Sequence, residues 1–105
     1  MKEITVTQLA ERLDAGDKIC VVDVREADEL EVSRLDVAIH IPLGDLPERL
    51  GELTKSDEIM LLCRSGKRSA AAAELLEENG FSDVSNVVGG INQWAMQVDD
   101  NMEIY

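Results

Sequence analysis

Cys63 closes an apolar run, Ile59-Met60-Leu61-Leu62. Arg64-Ser65-Gly66-Lys67-Arg68-Ser69 follows, and an Ala/Leu/Glu-rich helical pattern then begins. A thiol is thereby set where a buried strand gives way to a helix. Backbone N–H groups and the positive helix end face that position and favour the thiolate. Arg64, Lys67 and Arg68 add full positive charge. The thiolate is the nucleophilic form of cysteine, so the spacing predicts covalent chemistry at sulfur. A cysteine that only filled a strand end would be buried, as free cysteines usually are, but would need no cationic turn around it. Gly66 lets loop N–H groups curl inward as an anion nest. Such a nest can hold a thiolate, an anion beside it, or a negatively charged sulfur attached to it. The three cations are expected to draw an anionic substrate to the mouth. Cations beside a helix start oppose its dipole, a cost that argues for a functional role.

Other reactive side chains read differently. Asp23 and Arg25 follow the run Ile19-Cys20-Val21-Val22 and are expected to order a neighbouring loop through hydrogen bonds. Glu26, Asp28, Glu29 and Glu31 read as a solvated helix face. Cys20, within Ile and Val, reads as a buried core thiol. His40, the single histidine, reads as a solvated or edge-strand residue and is not assigned as a base.

The elements that must position Cys63 follow from periodicity. Thr5 and Gln8 have capping-box spacing, and Val6, Leu9, Ala10 and Leu13 recur at helical intervals until Gly16. A continuous apolar run at 19–22 predicts a strand buried on both faces, and 37–42, 59–62 and 84–88 predict further strands. Leu46, Leu50 and Leu53 predict one helix face with Pro47 near its start. Helices are predicted at 26–33, at 69–79 with Gly80 as C-cap, and from Ile91 to Val98. Short apolar strands alternating with helices imply an α/β three-layer domain with a parallel sheet. Ligands of such sheets sit at the carboxyl ends of strands, where Cys63, Asp23 and Arg25 lie.

The 105 residues fit one domain, 1–105, and 45% hydrophobic content suffices for a core. A net charge of −12 opposes binding to nucleic acid or anionic membranes, and three of only ten Lys/Arg fall within 64–68. The two cysteines form no metal-ligand cluster, so neither a structural zinc nor another cofactor is expected. Met1-Lys2-Glu3-Ile4-Thr5 has no apolar leader core, and no apolar run approaches membrane-spanning length, so a reducing cytoplasm is the expected compartment. No exposed apolar stripe is evident, and a monomer is expected.

With these residues in place, the chain resembles single-domain rhodaneses, a family of sulfurtransferases. Four segments carry the likeness: Asp23-Val24-Arg25-Glu26, Ile41-Pro42-Leu43, the loop Cys63 to Ser69, and Val88-Gly89-Gly90-Ile91-Asn92-Gln93-Trp94. The resemblance implies a three-layer α/β/α fold with a five-stranded, largely parallel sheet. It implies Cys63 as the catalytic residue, carrying sulfur as a persulfide between a donor such as thiosulfate and a thiophilic acceptor such as cyanide or a protein thiol. Arg64, Ser65, Gly66, Lys67, Arg68 and Ser69 are the expected substrate-binding set, with Asp23 and Arg25 supporting them. Where the family usually shows G-H-I-x-G-A, this chain has Ser33-Arg34-Leu35-Asp36-Val37-Ala38, a departure in turn geometry. Residues 97–105 are similar to the end of the rhodanese segment attached to certain ubiquitin-activating-like adenylyltransferases. That likeness points to a cysteine desulfurase or a sulfur-carrier protein as partner. Two other functions compete. A phosphatase of related fold would need C-x5-R, with arginine at 69, where Ser69 stands. The other is a non-enzymatic sulfur-relay or regulatory binding module; inactive members of the family usually lack the cysteine, and Cys63 is present.

Overall fold

A computed structural model describes all of residues 1–105. Five strands, β1 (Lys2–Ile4), β2 (Cys20–Asp23), β3 (Ile39–His40), β4 (Ile59–Leu62) and β5 (Val84–Val87), form one sheet in the order β1-β5-β4-β2-β3, every pair parallel. Register is set by Cys20 opposite Ile59, Val22 opposite Ile39 and Ile59 opposite Val84. All the carboxyl ends therefore gather on one side.

Four helices cover the sheet: α1 (Val6–Asp14), α2 (Ala27–Val32), α3 (Lys67–Glu78) and α4 (Gly90–Gln97). Alternation along the strands divides the core in two. Val22, Ile59 and Leu61 pack with Ala72, Ala73 and Leu76 of α3. Val21, Met60 and Leu62 face the other way, toward Val6 and Leu9 of α1 and Ile91 of α4. This is the three-layer α/β/α arrangement expected. It also explains the continuous apolar runs, because a strand covered on both faces has no solvent side.

The Thr5–Gln8 capping box closes reciprocally, with Gln8 N–H donating to Thr5 Oγ1 and Thr5 N–H to Gln8 Oε1. Other expectations need correction. The periodic pattern contains no sign of β1, because only Ile4 of its three residues is buried and an edge strand needs no apolar run. The leucines at 46, 50 and 53 do not lie on one α-helix. Two 3-10 turns, Leu43–Glu48 and Leu50–Glu52, take their place. Pro47 inside the first offers no N–H and clashes with a continuing α-helix. Only Ile39 and His40 of the 37–42 run pair as strand, and Pro42 ends it. Cys20 opens β2 and is half-buried, where a core thiol was expected.

Candidate active site

β4 delivers Cys63 at its carboxyl end, and α3 begins at Lys67, two residues before the helix expected from periodicity. Gly66 makes the turn at φ +110°, a conformation glycine accepts without strain. The loop thereby folds back on the sulfur. Gly66 N–H donates to Cys63 Sγ at 3.1 Å, and Ser69 Oγ lies 3.2 Å away. Burial pushes the thiol up. Hydrogen bonding from the Ser69 side chain and from the N–H groups of Ser69, Gly66 and Ser65 outweighs it, so the thiol titrates below its ordinary value. Of the backbone groups in the loop, the Gly66 N–H is the one within hydrogen-bond distance of the sulfur. Cys63 itself is 1% exposed, whereas the next two residues, Arg64 and Ser65, are exposed.

α4 holds the loop from behind. Ile91 N–H donates to the Cys63 carbonyl at 2.8 Å, and Asn92 N–H to the Arg64 carbonyl at 3.2 Å. The first turn of a helix has N–H groups to spare, and here they anchor the strand-to-loop junction. Gly89 and Gly90 both have positive φ and bring α4 close enough to do this.

The three loop cations part company. Arg64 and Lys67 are exposed and engage no carboxylate. Arg68 does not stand free at the mouth as expected. Both its terminal nitrogens pair with Glu29, at 2.7 and 2.8 Å. Glu29 is correspondingly no solvated residue, its side chain being 16% exposed. Asp23 and Arg25 are buried and joined through three hydrogen bonds of 2.8–3.1 Å from the guanidinium. Arg25 also donates to the carbonyls of Glu29 and Ser33 and to Tyr105 Oη. It thereby ties α2 to the carboxyl end of β2. His40 lies on the edge strand, its Nε2 2.6 Å from the Arg25 carbonyl.

Sequence reasoning missed Tyr105, Asn86 and Asn92. The Tyr105 hydroxyl donates to Glu29 at 2.8 Å, its ring lies under the Arg64 guanidinium at 4.9 Å, and its backbone pairs with the Asn92 carboxamide. Asn86 is a buried amide in β5, and a polar residue in such a strand was the available signal.

The Arg68 guanidinium, aided by the Glu26 N–H and the Tyr105 hydroxyl, holds the Glu29 carboxyl at about 2 against an ordinary 4.5, although burial pushes the other way. The folded form thus takes up this proton at lower pH than the unfolded one. Its stabilisation is complete above about pH 4.5 and is lost as pH falls toward 2. We expect urea midpoints to fall across that window and Glu29→Gln to remove on the order of 1–2 kcal/mol of the fall, a figure discounted for the part-exposed Arg68 end. Identical declines in both proteins would assign the acid sensitivity elsewhere.

Comparison with known proteins places this geometry. The Rhodanese-like domain model matches residues 5–97. YtwF of Bacillus subtilis, provisionally named a sulfurtransferase, is 39% identical over 94 residues, covering 90% of each chain. YrkF of the same organism, provisionally named a sulfur carrier protein, is 38% identical over 92 residues, 88% of this chain and 50% of YrkF. MoeZ of Mycobacterium tuberculosis, provisionally named an adenylyltransferase/sulfurtransferase, is 36% identical over 104 residues, 97% of this chain and 26% of MoeZ. This chain therefore spans half of YrkF and about a quarter of MoeZ, and the alignment with MoeZ bears out the likeness read from residues 97–105. The crystal structure of a rhodanese-like domain protein from Staphylococcus aureus superposes with a TM-score of 0.86 at 34% identity, covering 100% of this chain and 99% of that one. No helix is long and apolar enough to cross a membrane.

Proposed function

Because the chain belongs to the rhodanese-like family of sulfurtransferases and sulfur carriers, we propose that Cys63 is its nucleophile and carries a sulfane sulfur from an anionic donor such as thiosulfate to cyanide or a protein thiol. One observation carries the reading: a sulfur held by the Gly66 N–H and the Ser69 hydroxyl belongs to a loop that bears two exposed cations, Arg64 and Lys67, paired with no carboxylate. In the first half-reaction the Cys63 thiolate attacks the outer sulfur of thiosulfate. A new S–S bond forms, the old one breaks, and sulfite leaves with its electron pair. The persulfide then carries its negative charge on the outer sulfur, facing the loop N–H groups. In the second, the acceptor attacks that outer sulfur and the Cys63 thiolate departs. Splitting the transfer this way is nucleophilic catalysis. Because Cys63 is nearly covered, it suits a donor whose reactive sulfur is terminal. A desulfurase persulfide meets the same requirement, and the relationship to YrkF and MoeZ favours a place in protein-to-protein sulfur relay, with a sulfur-carrier protein as partner.

The test is the intact mass of the reduced protein after incubation with thiosulfate. We expect a gain of one sulfur atom, lost on adding cyanide. No gain from thiosulfate or from a cysteine desulfurase would sink the proposal. Replacing both Arg64 and Lys67 with alanine should lower kcat/KM for thiosulfate by about tenfold and flatten its salt dependence, because these cations steer the anion and are neutralised by no carboxylate. An unchanged salt dependence would mean that the donor is oriented by the loop N–H groups alone.

A further inference from the structure

The Ser69 hydroxyl has one proton and stands between two groups that can accept it. Its Oγ lies 3.2 Å from Cys63 Sγ. It donates to Asn86 Oδ1 at 2.5 Å. Asn86 cannot turn its NH2 toward the hydroxyl, because its Nδ2 already donates to the Gly66 carbonyl at 3.2 Å. A reversed carboxamide would set two carbonyl oxygens against each other. In the resting site the hydrogen bonds therefore run one way, from the Cys63 thiol to Ser69 Oγ and on to Asn86 Oδ1.

Loss of the thiol proton breaks this order. A thiolate has no hydrogen to give, and a hydroxyl lone pair facing it is repelled. The favourable arrangement turns the Ser69 proton toward sulfur. Asn86 Oδ1 then loses its donor at a residue only 6% exposed, and a buried carbonyl without a partner is costly. Asn86 and the sulfur cannot both be satisfied by one hydroxyl.

We propose that Asn86 is a positioning residue which competes with the Cys63 sulfur for the single Ser69 proton, making that hydroxyl a two-way switch between resting thiol and charged sulfur. Its use in turnover rests on Cys63 being the sulfur-bearing nucleophile; the competition in the resting protein does not. When a persulfide forms, charge moves to the outer sulfur, and the inner sulfur no longer claims the proton. Ser69 then returns to Asn86. Rotation of one hydroxyl resets the site at each half-reaction. The other charged groups around the sulfur are Arg64 and Lys67 on the exposed side and Arg68, which is tied to Glu29. The charges of Asp23 and Arg25 neutralise each other. Asp45 and Glu48 on the first 3-10 turn are exposed, and β5 and α4 carry no ionisable side chain.

The test is a double-mutant cycle of Ser69→Ala and Asn86→Ala in a Cys20→Ser background, reading Cys63 ionisation from the pH dependence of alkylation. Asn86→Ala also loosens Gly66, but that effect is common to both arms of the cycle. With Ser69 present, Asn86→Ala should move the titration lower, relative to the same change made on top of Ser69→Ala, by about half a pH unit or more. Equal shifts in both arms, or a coupling of opposite sign, would overturn the proposal. Should Asn86→Ala not fold, Asn86→Asp keeps the shape and offers a stronger acceptor. It should raise the titration further with Ser69 in place than in the Ser69→Ala arm, and equal rises would overturn the proposal as well. No sulfur donor is present, so failure of sulfur transfer and failure of the switch are read separately.

Discussion

Cys63→Ser should lower sulfur transfer from thiosulfate to cyanide by about a thousandfold or more while leaving the unfolding midpoint nearly unchanged. Serine is close to cysteine in shape, can accept from the same Gly66 N–H and can donate to Ser69 Oγ as the resting thiol does. What it lacks is chemistry. Its hydroxyl stays protonated at neutral pH even inside this nest, so the donor meets no anionic nucleophile. Every hydrogen bond, ion pair and packing contact around the site is left in place, so the loss measures the nucleophile and not the scaffold. The steady-state rate and the mass gain should vanish together. Cys20→Ser is the matching control, because Cys20 opens β2 at the far end of the sheet. Burial and the nearby Asp57 also push its thiol up. Retained activity in Cys63→Ser, or lost activity in Cys20→Ser, would move the sulfur-carrying role to Cys20.

Gly90→Ala should be the most damaging single substitution to the fold, costing several kcal/mol, about 3–5, out of the 5–15 typical of a domain. A Cβ at Gly90 would lie 2.4 Å from the carbonyl oxygens of both Cys63 and Arg64 and 2.5 Å from the Arg64 carbonyl carbon. These are backbone atoms, and they cannot swing aside as a flexible side chain does. The residue also sits at φ +61°, which disfavours any Cβ. Relief requires α4 to retreat, and its retreat withdraws the Ile91 and Asn92 N–H groups from the carbonyls of Cys63 and Arg64. Stability and activity should fall together in this variant. Gly44→Ala and Gly51→Ala are the comparison, since a Cβ at either meets nothing within 4 Å. Chemical denaturation of the three variants checks the contrast, and a Gly90→Ala midpoint near theirs would refute the clash argument.

The strand-to-helix setting of Cys63 was legible because it is local. An apolar run, one glycine and a change of period are all contained in residues 59–79. The same holds for α1, whose capping box lies within four residues. What was not legible joins distant parts of the chain. Nothing in the order Lys67-Arg68-Ser69 reveals that Arg68 is held by Glu29, 39 residues away. Glu29 looked like its acidic neighbours because only the folded chain distinguishes the one that faces the loop. The leucines of 46–53 misled for a local reason. Their spacing fits an α-helix, but Pro47 tightens the backbone into 3-10 turns that still bury Leu46.

The meeting of Tyr105 with Arg25 and Glu29 has a consequence for the order of events in folding. These contacts span 80 and 76 residues of chain, and links of such separation form late because loop closure must precede them. A chain emerging from its N-terminus presents β4, Cys63 and α3 well before Tyr105 exists. The Gly66 N–H and Ser69 hydroxyl beside the sulfur come from neighbours in sequence, whereas the Arg68–Glu29 pair gains its Tyr105 hydroxyl only once that residue has docked. During synthesis, then, Cys63 and the loop that follows it are in place before the charge network beside them is complete.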